Sequence, residues 1–132
     1  MYIINGDPIP LARARFGKGR AWDAQKRLKL MLGIELSKQH LDQPLYYGAL
    51  HLDVVFYMTF AKSTPQKTRD KFVNKPHIFK PDLSNLIKFI EDVAQGIIYK
   101  DDCIIASVFA KKIYDNNPRT EFTIKQLVSN ET

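Results

Sequence analysis

The sequence predicts an α+β fold: one mixed sheet of about four strands with two main helices packed on it, in a single domain over residues 1–132. Three observations predict it. Leu50, Leu52, Val54, Phe56, Met58 and Phe60 point one way while His51, Asp53, Tyr57 and Thr59 point the other, the two-residue period of a half-buried strand. Leu83, Leu86, Ile87, Ile90, Val93 and Ala94 fall on one narrow arc at about 100° per residue, the signature of an amphipathic helix. Residues 1–5, 103–114 and 119–128 are rich in β-formers and bounded by turn residues.

Composition narrows the class. The chain is 45% hydrophobic and 26% charged, globular values that argue against disorder. No apolar run approaches the roughly 20 residues a membrane helix needs, and the opening MYIINGDPIPLARAR has no secretory leader pattern. One cysteine, Cys103, cannot form an internal disulfide, which fits a reducing, cytoplasmic setting. It reads as a small buried residue at a strand start. The net charge of +6 is uneven: residues 1–80 hold 14 Lys/Arg against 6 Asp/Glu, and residues 81–132 hold 6 against 8. A basic first part before a locally acidic second part suits a polyanion-binding surface around an acidic centre.

In chain order, residues 1–5 form a first strand that ends at Gly6-Asp7-Pro8. Residues 11–20 carry Arg13, Arg15, Lys18 and Arg20 with no clean periodicity, an extended or flexible arm whose cations can contact phosphates. Asp23 is the expected N-cap of a helix over 24–41, with Leu28, Met31, Leu32 and Leu36 buried and Lys26, Lys29 and Lys38 in solvent. Trp22 is expected to staple that helix start, the alternative being an exposed base-stacking residue. The strand from Leu50 follows. Residues 61–79 are too long for a structureless loop; Ser63-Thr64-Pro65 opens a short basic helix to about Phe72, and Lys67, Arg69, Lys71 and Lys75 make this either a second phosphate-facing element or a solvated basic loop. Two strands close the chain, joined by the turn Asp115-Asn116-Asn117-Pro118.

Residues 79–102, FKPDLSNLIKFIEDVAQGIIYKDD, carry the chemistry. Asp82 or Ser84 can cap the helix, and Gly96 stops it. A tight return through Ile97, Ile98 and Tyr99 to Asp101 and Asp102 would let carboxylates from both places converge. Such a cluster suits a hard divalent cation such as Mg²⁺, which prefers oxygen ligands. Lys88 could face a phosphate from the same cavity. Read separately, each feature is ordinary: an N-cap, a solvated lysine, a polar turn before a strand.

In order and spacing this stretch resembles the signature of the RusA-type Holliday junction resolvases, small DNA endonucleases. The match falls on Lys80, Pro81, Asp82, Asn85, Leu86, Lys88, Asp92, Asp101 and Asp102. PIPLARARF and KKIYDNNPRTEFTI also resemble family segments. The chain departs from the pattern at Ser84, where the family often carries a second metal-binding Asp.

The resemblance implies a Mg²⁺-dependent (Mn²⁺ possible) endodeoxyribonuclease of bacterial or phage origin, acting on branched DNA in recombination and repair. Asp82, Asp101 and Asp102 would be the metal ligands, and the ion would activate a water and stabilise charge on the phosphate. Lys88 would position or neutralise the phosphate. Ser84, Asn85 and Asp92 would sit behind the ligands, and Lys80 would join the DNA-binding cations. A homodimer is implied because a four-way junction needs two symmetric nicks. No small-molecule cofactor and no membrane association are expected. Ser84 keeps an alternative open, a branched-DNA-binding protein with weak or no catalysis. A further alternative is a basic nucleic-acid- or protein-binding module in which the Asp pair is only a turn.

Overall fold

The computed structural model describes residues 1–12, 15–17, 19–41 and 43–127. Its centre is β4 (Leu50–Met58), whose alternate residues Leu50, Leu52, Val54, Phe56 and Met58 are buried as the alternation predicts. β6 (Arg119–Gln126) pairs with it antiparallel and β5 (Ile105–Tyr114) pairs with it parallel. β1 (Tyr2–Asn5) adds antiparallel to β6, which gives the mixed order β1-β6-β4-β5.

Two helices cover one face of this sheet. α1 (Lys26–Gln39) packs beside β1, and its Gln39 amide clasps the edge, accepting from Ile3 N at 2.7 Å and donating to Ile3 O at 2.8 Å. α3 (Leu83–Ala94) buries Leu86, Ile90, Val93 and Ala94 from the predicted arc, and Phe89 as well. Their partners are Phe56, Leu52 and Phe122 from the sheet, with Leu36 from α1. Between β4 and β5 lies α2 (Gln66–Phe72), the short basic helix expected there, with Pro65 at its N-cap.

Several local expectations change. The basic arm folds in part into a ribbon of β2 (Arg15–Gly17) and β3 (Arg20–Trp22). Trp22 lies over Gly17 in that ribbon and does not staple α1; a Cβ at Gly17 would meet its ring at 2.9 Å. The N-cap of α1 is Gln25, because Asp23 instead folds into a turn, its carboxylate accepting from Gln25 N at 2.8 Å. Met31 is exposed, whereas Gly33 lies against Ile97 and takes the buried position. Lys29 is not in solvent: its ammonium bridges Asp23 at 2.7 Å and Asp92 at 3.2 Å, tying α1 to α3. Cys103 is exposed, because a short 3-10 turn (Asp102–Ile104) intervenes before β5. Among the described residues no helix is long and apolar enough to cross a membrane.

Candidate active site

α3 carries the acidic signature, and each of its ends is held differently. Asp82 is the N-cap with extended backbone (φ −65°, ψ 139°), and its carbonyl accepts from Leu86 N at 3.2 Å. Its carboxylate makes no capping bond, which leaves both oxygens available. Asp82 lines an open cleft of about 510 Å³ with Lys80, Asn85, Pro8, Pro10 and Leu11. The basic arm starts from this cleft, because Leu11 N donates to Asn85 O at 3.0 Å.

The other end is a return turn. Gly96 adopts φ 84°, a left-handed conformation that other residues resist, and its N–H donates to Tyr99 O at 2.7 Å. The buried Tyr99 hydroxyl donates to Glu91 O at 2.6 Å and pins the turn to the helix it has just left. Asp101 accepts from Cys103 N at 3.0 Å, which holds its carboxyl below the usual carboxylate range. Asp102 N donates to the Gln95 side chain at 3.1 Å. Burial, then Asp101 and Asp92, raise the Asp102 carboxyl. Glu91 is raised as well, by burial and by Asp102 and Asp92, against a lowering from Lys88. Negative charge is thus crowded at this end, the condition under which a cation is welcome.

The two ends do not converge within one chain. The return leads Asp101 and Asp102 back to the C-terminal end of α3, whereas Asp82 caps its N-terminal end. Twelve residues at 1.5 Å rise separate them by about 18 Å. Among the described residues no group of three or more His, Cys, Asp or Glu is placed to hold a metal. The convergence expected from a tight return is therefore corrected: the turn is tight, but it closes on the wrong end of the helix.

Between the ends runs a polar stripe of Asn85, Lys88, Asp92 and Gln95, spaced three and four residues apart. Lys88 is exposed at its middle, and Ser84 is exposed in the first turn. Asp92 is already engaged by Lys29. Among the cations proposed to meet DNA, Lys67, Lys71, Lys75 and Lys80 are exposed on and after α2. Arg69 is committed inward, donating to Thr64 O at 3.1 Å and Ala61 O at 3.1 Å, so it braces the loop before α2. Arg15 and Arg20 belong to the β2–β3 ribbon, and Arg13 and Lys18 lie outside the described residues.

Sequence reasoning missed two residues. Glu91 joins the acidic end through the return turn, and its position beside Asp92 in the helix was the one available signal. Lys112 on β5 donates to Phe79 O at 2.6 Å and Pro81 O at 2.8 Å, fixing the segment that leads into Asp82. That contact links residues far apart in sequence, and no local pattern announces it.

A small α+β scaffold with a basic arm, a basic helix and carboxylates along one helix has a charge layout that suits a nucleic-acid partner. Residues 5–125 match the family Endodeoxyribonuclease RusA, so the chain belongs to that family. The chain is also similar to the "Uncharacterized protein YqaN" of Bacillus subtilis (strain 168), 26% identical over 135 aligned residues that cover 96% of this chain and 95% of that one. Family membership indicates an endodeoxyribonuclease, of a kind that is generally dependent on divalent metal.

Proposed function

We propose that the protein is a Mg²⁺-dependent, structure-selective DNA endonuclease that resolves Holliday junctions by paired symmetric nicks, working as a homodimer. The observation that carries this reading is the layout of α3: Asp82 at one end, Asp101 and Asp102 at the other, and Lys88 exposed midway. Basic segments flank the Asp82 end, which suits a strand of DNA laid along the helix.

Among the described residues of one chain the three proposed ligands do not meet, because Asp82 stands a helix length from Asp101 and Asp102. A two-fold axis passing beside α3 near Lys88, perpendicular to the helix, would set two copies of it antiparallel. Asp82 of one protomer would then face Asp101 and Asp102 of the partner subunit, at two equivalent places. Two equivalent places are what two symmetric nicks require.

The test is cleavage of an end-labelled synthetic four-way junction beside a linear duplex of the same sequence, with Mg²⁺ and with EDTA. The wild type should nick only the junction, in symmetric pairs, and only with metal. Asp82→Asn and Asp102→Asn should each bind the junction without cutting it. A mixture of the two variants should regain nicking, since a mixed dimer holds one site with both native carboxylates. Mixed dimers that bind but never nick would refute the shared site, and equal cutting of linear duplex would refute junction resolution.

A second reading follows from Ser84, which leaves the N-cap Asp82 as the lone carboxylate at the start of α3. In that reading the protein holds branched DNA and cuts it weakly. Ser84→Asp should then raise the cleavage rate, and an unchanged rate removes this reading.

A further inference from the structure

The segment that leads into Asp82 also builds a pocket that the proposed cutting site does not use. It has a volume of about 590 Å³ and lies between α2 and the ends of β4 and β5. Its wall is aromatic: Phe60, Phe72, His77, Phe79 and Tyr114 all line it. Tyr114 is the hub, stacked on Phe60 with centroids 4.9 Å apart and 12° between planes, and 4.9 Å from the His77 ring. Phe79 stands edge-on to His77 at 6.1 Å and keeps 65% of its surface exposed. Thr64 and Thr68 add hydroxyls to the lining, groups that donate and accept.

Exposed aromatic surface of this kind calls for an occupant, and the charge around it says which. Residues 61–80 carry Lys62, Lys67, Arg69, Lys71, Lys75 and Lys80 against one acidic residue, Asp70. Lys71 places its ammonium 5.9 Å from the centre of the Phe72 ring. An aromatic wall with exposed lysines on the same helix and loop, Lys71 nearest, matches a base carried on a phosphate backbone. An apolar peptide would leave those cations unanswered. The volume lies within the range of small-molecule sites, with room for a base and its sugar.

We propose that this pocket takes one unstacked nucleobase from the branch point of the DNA, and so selects branched over linear substrate. This rests on the reading of the protein as a junction endonuclease and adds the means of recognition. A base in duplex must be unpaired and unstacked before it can enter, and that cost is lower where stacking is already broken, as at a branch point, or where pairing is interrupted. Phe79 lies three residues before Asp82, a reach of about 10 Å. Lys112 holds the carbonyls of Phe79 and Pro81 together, which fixes the pocket wall relative to Asp82. A captured base would therefore set which phosphate lies beside that carboxylate.

The test is equilibrium binding in EDTA, which separates recognition from cutting. The probes are a synthetic four-way junction, a duplex with one unpaired base, and a fully paired duplex. Phe79→Ala should weaken binding to the first two roughly 5- to 150-fold, the range that stacking on one aromatic ring spans. The paired duplex should change by less than about twofold, because backbone contacts carry its binding. Phe79→Trp should bind like the wild type. Thr68→Trp, which fills the pocket without removing its wall, should mimic Phe79→Ala and covers the case in which that variant folds poorly. Equal losses on all three probes, or no loss on any, would overturn the pocket while leaving the endonuclease reading intact. A wild type that binds none of the probes overturns both.

Discussion

Lys112→Met tests whether the entry to α3 is held by one ammonium. The substitution keeps most of the aliphatic stem and removes the two bonds to Phe79 O and Pro81 O, at 2.6 and 2.8 Å. Charge-assisted hydrogen bonds contribute roughly 1.5–3 kcal/mol each when well formed. The Phe79 contact is solvent-exposed and the Pro81 contact is half-buried, so water recovers part of the loss. A total near 2 kcal/mol is expected. With a urea dependence of about 2 kcal/mol per molar, the unfolding midpoint should fall by about 1 M. There is a second readout. Burial first, and then the Lys112 charge, hold the His77 pKa below its usual value. A histidine lowered in the folded state contributes stability above its unfolded pKa of about 6.5, and that stability is lost as pH falls. Without Lys112 one cause of the lowering is gone, so the His77 ring should titrate closer to its usual pKa by NMR. The loss of stability on acidification below about pH 6.5 should also become shallower. An unchanged urea midpoint, together with an unchanged His77 titration, would refute the reasoning.

Two other predictions concern the ends of the fold. Glu91→Gln should raise stability at pH 7 by less than about 1 kcal/mol, since the group is partly solvated, and should leave it unchanged near pH 3. The sign follows from the raised folded pKa, whose stabilising contribution is present below the unfolded value and lost as pH rises through the folded one. Thermal melts at the two pH values check it, and a destabilised variant at pH 7 would show that Glu91 is not repelled there. Gln39→Ala should cost about 1–2 kcal/mol, because it removes both hydrogen bonds to Ile3 at the β1 edge. Urea titration reads the loss, and a change under about 0.3 kcal/mol would mean that water replaces the clasp.

Much of the scaffold was legible because its signals are local. The alternation from Leu50 to Met58 marks β4 and its buried face, and the arc from Leu83 to Ala94 marks α3. The β2–β3 ribbon was not legible, since strands of three residues are too short to show a period. Met31 is exposed and Gly33 buried because α1 approaches Ile97 at position 33, where a Cβ would already be in van der Waals contact. The site was half legible. Order and spacing singled out its candidate residues, but the expectation that a tight return brings Asp82 and Asp102 together left out the length of the helix between them. What spacing could not supply was where the turn after Gly96 closes, which the Tyr99–Glu91 contact decides. Lys112 and Lys29 act across the fold, and their partners lie in other elements.

The parallel pairing of β4 with β5 bears on how the protein is made. Residues 59–104 all lie in the crossover between these two neighbouring strands, so α2, every signature residue and every wall of the aromatic pocket except Tyr114 belong to one connection. Parallel pairs with long crossovers form slowly, because loop entropy is lost before the contacts repay it. β5 also has to be in place before its far end can receive the strand-like contact at Pro76, where the loop meets Ile113. The basic segment and the carboxylates should therefore acquire their structure together and late, after β5 docks. A chain stalled before residue 105 would carry the whole signature and none of its arrangement.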